Sequence, residues 1–536
     1  MEDNRKPSPV YFLLAVAVGV LIGLYINMGN VKKALSIAQS GNSTFDAVMS
    51  YINEEYVDSV DIKEIEESAI VAMMDELDPH SQFISEEEFN ALNDPLLGSF
   101  EGIGVSFRLE KDTVTIINTI KGGPSEKVGI MAGDRIIKVD DSLIAGVKMK
   151  NDDVMRLLKG PKNTKVNVKV LRRGIDGLLD FTIKRDVIPT YSVEVAYMLD
   201  DEIGYLKLGK FSATTYNEFV KAVKKLQAAG MKKLVFDLRG NSGGYLSAAV
   251  DIADEFLPKG SLIVYTEGRN RPRYYMTARH RGMLEDMPVT VLIDGESASA
   301  SEIVAGALQD NDCGTIIGRR SYGKGLVQEQ MMLTENSAIR LTVARYYTPT
   351  GRCIQKPFDN DHEKYLFESF ERYQNGELFS ADSIHFADSL KFVTPKGKVV
   401  YGGGGIMPDI YVPLVDDSTE YFFNRIVNTG ILFQYAFDYT DMHRQELNRY
   451  QNVEQFAKSF KVSDAMFAEM LKRAEEKGLK GTDKEKQVAR KETNILLKAY
   501  IARNIFDDEG FYPIYEEMDD ILQRAISELK ITESAK

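Results

Sequence analysis

The stretch from Val289 to Gln328 constrains the fold more than any other part of the chain. An apolar run, Val289-Thr290-Val291-Leu292-Ile293, has the composition of a buried strand. A small-residue turn follows, Gly295-Glu296-Ser297-Ala298-Ser299. The chain then takes a helical pattern, with apolar Ile303, Val304, Ala307 and Leu308 on one face. A second strand-like run, Thr315 to Gly318, leads into Ser321-Tyr322-Gly323-Lys324-Gly325-Leu326-Val327-Gln328. Strand, tight turn, helix and strand in sequence describe a crossover unit of an α/β layer.

The same stretch places chemistry at its corners. Ser297, Ser299 and Ser301 sit where the helix begins, beside backbone N–H groups that can hold a developing oxyanion. Gly323 and Gly325 leave Lys324 open to close approach by other backbone. If Lys324 to Gln328 is extended, positions 324, 326 and 328 share a face, and Lys324 and Gln328 point together. A nucleophile, an amine base and an amide to orient it are then all supplied. Ser299-x-x-Glu302 also reads as a capping box, in which the serine does no more than end the helix.

The two motifs together, SASASEI and SYGKGLVQ, resemble those of the carboxy-terminal processing peptidases, a family of Ser/Lys endopeptidases. The resemblance covers roughly residues 45 to 415. It implies Ser299 as nucleophile, Lys324 as general base and Gln328 as the residue that positions the lysine. It also implies an oxyanion hole made by the N–H of Ala300 and that of Gly243 or Gly244, a crotonase-like α/β catalytic core, and no metal or organic cofactor. An Asp78-Pro79-His80-Ser81 turn belongs to the family pattern without a catalytic role, and the proline alone explains a break in helix there.

At 536 residues the chain is too long for one core. Its net charge of −14 argues against a nucleic-acid surface. Cys313 and Cys353 match no metal-ligand spacing and read as free thiols. Val10 to Met28 is almost wholly apolar, with Arg5 and Lys6 before it and Lys32 and Lys33 after it. That is long enough for a membrane span. An uncleaved single-pass anchor is favoured over a signal peptide cleaved near Ser36-Ile37-Ala38. The remainder is then exported, on the periplasmic side of a bacterial inner membrane.

Residues 31–92 read as helical, with Phe45, Val48, Met49, Ile52 and Tyr56 near helical spacing. Residues 93–189 switch to short β-like runs: Thr113 to Ile117, Arg135 to Val139 and Lys165 to Val170. With Gly102-Ile103-Gly104-Val105 and the run Gly123 to Ile137, this region resembles a PDZ domain. A glycine loop offers successive N–H groups to a terminal carboxylate, and the adjoining strand edge can pair with an extended peptide. Gly102, Ile103, Gly104 and Val105 are the implied peptide-binding residues.

Residues 190–415 alternate strand and helix and carry the catalytic stretch. Gly243-Gly244 lacks the frame of a phosphate loop. Residues 358–398 read as a polar, aromatic-bearing insert, and 416–536 as a helical extension whose charged faces meet solvent, or an adaptor or second copy. The whole reads as a multidomain α/β protein: anchor, helical region, PDZ domain, peptidase core and helical tail. Its expected activity is cleavage of exported proteins recognised by their C-termini. Two other readings are a non-catalytic PDZ scaffold, which would not need both Ser299 and Lys324, and a crotonase-type acyl-CoA enzyme.

Overall fold

The computed structural model describes Val18 and residues 44–359, 361–414 and 421–534. The apolar segment Val10 to Met28 lies outside these residues apart from Val18, as does Ser36 to Ala38. Among the described residues no helix is long and apolar enough to cross a membrane. The chain divides into two compact units, Met1–Leu77 and Asp78–Lys536.

In the first unit the helical spacing produces two helices, Thr44–Glu55 and Ile62–Asp75. Asp61 caps the second, its carboxylate accepting the N–H groups of Lys63 and Glu64. Neither helix has a fully buried residue. The helical reading does not continue unbroken to residue 92. Asp78 ties the turn by accepting from the N–H groups of His80 and Ser81, and Gln82–Ile84 becomes a strand.

The second unit begins with that strand and contains a β-rich domain, a layered α/β domain and a helical domain. In the β-rich domain Val105–Glu110, Thr113–Thr119, Arg135–Val139, Lys165–Leu171 and Leu178–Lys184 form one antiparallel sheet in that order. Val105–Glu110 is its edge strand. The short helix Asn151–Leu158 closes the core with Val154 and Leu158.

The α/β domain is built on a six-stranded sheet. Val193–Met198 is antiparallel to Ile203–Leu208. Then Ile203–Leu208, Lys233–Asp237, Val289–Ile293, Thr315–Gly318 and Ile410–Tyr411 run parallel, in sequence order. The helices Thr215–Ala228, Leu246–Asp254 and Ala300–Asp310 cross over between them. Alternate residues divide between two cores. Leu234, Phe236, Val291, Ile293 and Ile316 pack under the crossover helices. Val235, Leu292 and Ile317 point the other way, where they meet Ile521, Leu522, Ala525 and Leu529. Those four belong to the last helix, Asp520–Ser534. Parallel strands need both faces covered, and here the chain's own C-terminal helix covers the second.

The tail therefore differs from a purely solvated extension. Its helices from Tyr421 to Tyr515 share one apolar core. They also touch the β-rich domain: Arg108 lies over the Phe433 ring at 4.7 Å, and Asp441 pairs with Arg173 at 3.6 Å and Arg135 at 3.8 Å. Asp519 takes Arg239 in a two-point ion pair at 2.8 and 2.7 Å. Cys313 and Cys353 are free thiols.

Leu522→Ala is expected to destabilise the α/β domain by about 2–5 kcal/mol, since it opens a cavity under the sheet. Thermal or denaturant unfolding of the full chain would read this, and an unchanged midpoint would show that the tail is not a structural layer.

Candidate active site

Ser299 is the N-cap of the helix Ala300–Asp310 and holds φ 53°, ψ −111°. A non-glycine residue in that region costs about 1–3 kcal/mol, which the surrounding contacts must offset. The three serines of the turn are not equivalent. Ser297 and Ser301 are fully buried and donate their hydroxyls to the carbonyls of Leu238 (2.9 Å) and Asn241 (2.8 Å). Both stitch the turn to the glycine loop. Ser299 between them opens into a cleft of about 400 Å³ that Lys324, Gln328 and Gly244 also line.

Buried Glu302 joins the two halves of the site. Its Oε2 accepts the N–H of Ser299 at 2.9 Å, as the Ser-x-x-Glu spacing anticipates. The same oxygen accepts the N–H of Lys324, also at 2.9 Å. Its Oε1 accepts the Gly323 N–H at 2.8 Å and the Ser321 hydroxyl. Burial pushes this carboxyl up, while its hydrogen bonds favour the ionised form. The Tyr346 hydroxyl spans the carbonyl oxygens of Lys324 (2.7 Å) and Ser299 (3.0 Å). The backbones of Ser299 and Lys324 are thus fastened on both polar sides.

Lys324 does not lie within the strand that the alternation assumed. The strand starts at Leu326, and a register irregularity falls between Val327 and Gln328. The two side chains still meet, with Lys324 Nζ donating to Gln328 Oε1 at 2.9 Å. Gln328 Nε2 donates in turn to the His80 carbonyl, which fixes the amide's orientation. Backbone packs closely around the lysine. A Cβ on Gly323 would lie 3.0 Å from the Gly405 nitrogen, and one on Gly325 2.8 Å from that of Gln355. Burial pulls the Lys324 ammonium below its usual range, and the Arg340 cation adds to this against Asp78 and Glu302. The His80 ring, hydrogen-bonded to the Tyr365 hydroxyl at 2.8 Å, is pushed down to about 4 by burial and then by Lys324. It is therefore neutral near pH 7.

The two candidate glycines of the loop stand in different settings. The Gly243 N–H donates to Asn241 Oδ1 at 2.9 Å. Gly244 lines the cleft at φ 142°, and a Cβ there would fall 2.0 Å from the Phe211 carbonyl oxygen, so no other residue fits. Asn93 and Leu96 add to the wall from the helix Phe89–Leu97. The insert braces the lysine loop: Arg372 donates to the carbonyls of Ser321 (2.8 Å) and Tyr322 (3.1 Å). In the β-rich domain the Ile103 carbonyl accepts from Ser125 N–H (3.1 Å) and Oγ (2.7 Å), and the Gly104 carbonyl accepts from the Ile120 N–H. The loop Gly102 to Val105 leads into the edge strand. His362 and His385 belong to no metal-binding cluster among the described residues.

Sequence reasoning missed Tyr346, the His80 carbonyl and the reach of Glu302 to Lys324. Only the Glu302 capping spacing was a usable sign of any of them.

Family models place these parts in a class. Residues 202–363 match peptidase family S41, and residues 102–183 match the PDZ domain. Residues 422–507 match a family of unknown function, DUF8443. The chain is thus of the serine-type peptidase class and carries a PDZ domain. A carboxy-terminal-processing protease of Bartonella bacilliformis is 36% identical over 345 residues, 62% of this chain and 78% of that one. CtpA of Bacillus subtilis is 33% identical over 350 residues, 64% of this chain and 74% of that one. Among solved structures, a photosystem II D1 C-terminal processing protease is 26% identical, at a TM-score of 0.37 over 70% of this chain and 88% of its own. The chain belongs to the carboxy-terminal processing protease family.

Tyr346→Phe removes the hydroxyl between the two carbonyls and leaves the ring. It is expected to cost about 1–2 kcal/mol of stability and to lower kcat more than it raises KM, because the fault lies in alignment. Steady-state kinetics would check this; a change confined to KM would place Tyr346 in substrate binding instead.

Proposed function

We propose that the chain is a serine endopeptidase in which Ser299 is the nucleophile, Lys324 the general base and Gln328 the residue that positions the lysine. The observation that carries this reading is the Lys324–Gln328 contact, 2.9 Å long, in the cleft that also holds Ser299. With Gln328 Oε1 taking one amine N–H, the lone pair of a neutral Lys324 is left for the serine proton. Ser299 Oγ attacks the scissile carbonyl carbon as its proton passes to Nζ. The oxyanion is received by the N–H groups of Gly244 and Ala300. The choice of Gly244 is supported by its place on the cleft wall, since Gly243 spends its N–H on Asn241. Lys324 then returns the proton to the leaving amine, and water, deprotonated by the same group, releases the acyl chain.

The PDZ domain, on this reading, captures the C-terminal tail of a substrate. Gly102, Ile103, Gly104 and Val105 receive the carboxylate, and the edge strand Val105–Glu110 takes the preceding residues as an added strand. The crotonase-like core, the anchor at Val10 to Met28 and a periplasmic site of action complete the proposal. They rest on the sequence motifs and on the apolar run.

Ser299→Ala and Lys324→Ala are each expected to lower turnover of an unfolded protein by roughly four orders of magnitude or more, because dyad members act as a unit. Lys324→Arg should not rescue, since a guanidinium stays protonated. Ser297→Ala and Ser301→Ala should act through stability. The active amine is neutral and burial lowers its pKa, so activity should rise with pH along a limb below the usual lysine value of about 10.4. Wild-type turnover by Ser299→Ala would end the peptidase mechanism and leave the scaffold reading.

For the accessory parts, peptides with a free C-terminus should bind the full chain more tightly than their amides, and the full-length protein should stay in carbonate-washed membranes. Equal binding of both peptide forms, or release into the wash, would remove the corresponding part of the proposal.

A further inference from the structure

One charged residue of the cleft has no place in the mechanism above. Arg340 lines the same cavity as Ser299 and Lys324. It sits on the strand Ala338–Tyr347, two residues from Thr342 and so on the same face as Thr342. Thr342 is in register with Gln328 and Arg340 with Gln330, and both glutamines line the cleft. Arg340 lies two residues beyond Thr342, about 7 Å at the rise of a strand. That is about two residues of an extended peptide, counted from Gln328.

Its hydrogen bond is to a neutral group, Gln330 Oε1, at 3.1 Å. Among the described residues no carboxylate lies within ion-pair distance of it, and none lines the cleft. Several other arginines of this unit are ion-paired: Arg239 with Asp237 and Asp519, Arg320 with Glu377, and Arg352 with Asp310. Tyr245, which also lines the cleft, lies within electrostatic reach of Arg340. A bound peptide lying in this cleft therefore passes a half-buried guanidinium whose charge the protein itself leaves uncompensated.

We propose that Arg340 is a specificity-determining residue, which receives an acidic side chain of the substrate near the scissile bond. The inference rests on the reading of Ser299 as nucleophile, which defines where the scissile bond lies. A guanidinium suits this task because its planar fork matches a carboxylate at two points. Desolvation by the bound peptide strengthens the pair, so the preference should be larger than for a surface ion pair. Arg340 also acts electrostatically on Lys324, lowering its ammonium. The experiment must separate that effect from substrate preference.

The test uses internally quenched, C-terminally amidated decapeptides that carry one Glu, Gln or Lys at each position in turn. Amidation reduces capture by the PDZ loop. The wild-type chain is expected to favour Glu over Gln by about tenfold in kcat/KM at one or two adjacent positions near the cleaved bond. Arg340→Gln should bring that ratio close to one, and Arg340→Glu should make Lys the favoured residue there. Both peptides of a pair meet the same Ser299 and Lys324, so the ratio cancels any effect of Arg340 on the base. A Glu/Gln ratio near one at every position in the wild type, or a ratio that survives Arg340→Gln, would overturn the proposal. Binding of the same peptides to Ser299→Ala protein, followed by fluorescence anisotropy, repeats the comparison without turnover. A Glu preference in binding that Arg340→Gln abolishes, with no cleavage by the wild type of these peptides or of an unfolded protein with a free C-terminus, would uphold the acidic subsite while the peptidase reading failed.

Discussion

A parallel sheet wound in one direction leaves one of its faces bare. The strands from Ile203–Leu208 to Ile410–Tyr411 follow each other in order, and the crossover helices gather over one core. Val235, Leu292 and Ile317 project from the opposite face and are nevertheless buried. Water on that face would expose three central strands, at roughly 25 cal/mol for each Å² of apolar surface. The helix Asp520–Ser534 prevents this with Ile521, Leu522, Ala525 and Leu529. The peptidase domain is thus completed by the far end of the chain. Its long tail must return to the sheet, and on the way it builds its own core and docks on the PDZ domain.

The same helix region reaches the glycine loop of the cleft through charge. Asp519 holds Arg239 at two points, and Arg239 also grips buried Asp237 at the end of a central strand. Asp237 is kept well below the usual carboxylate range by Arg239 and Lys207, against its burial. From Arg239 the chain turns directly into Gly240-Asn241-Ser242-Gly243-Gly244. The loop that faces Ser299 is therefore anchored at its root by an ion-pair network. Buried pairs of this kind contribute little net stability against apolar replacements, but losing one partner strands the other charge. Their effect here is to fix a position.

At the cleft itself, geometry is set mostly by groups that do no chemistry. Glu302 takes the N–H groups of Ser299 and Lys324, and Tyr346 spans their carbonyls. These contacts hold a strained serine and a lysine loop together across a gap in sequence. The lysine side chain is then aimed by Gln328, and Gln328 by the His80 carbonyl. A buried amine held in this way loses solvation, which lowers its proton affinity in the direction a base at moderate pH requires.

Much of this was legible in the sequence because it is local. The alternating strands, the crossover helices, the glycine turns of the PDZ domain and the serine at a helix start are short-range patterns of period and turn chemistry. Two motifs also named Ser299, Lys324 and Gln328 as a set. What only the tertiary structure decided involves residues far apart in the chain. Glu302 read as a helix cap, and its second contact lies on a different loop. His80 read as a turn residue, and its carbonyl acts on a strand far along the chain. Arg340 gave no sign at all, since a lone arginine in a strand looks like any solvated charge until a cleft forms around it. The tail read as a solvated or adaptor surface, because amphipathicity shows that a helix has an apolar face but not what that face meets. Period and turn chemistry are written residue by residue, whereas the partner of a buried face or a carboxylate is chosen only when the chain closes on itself.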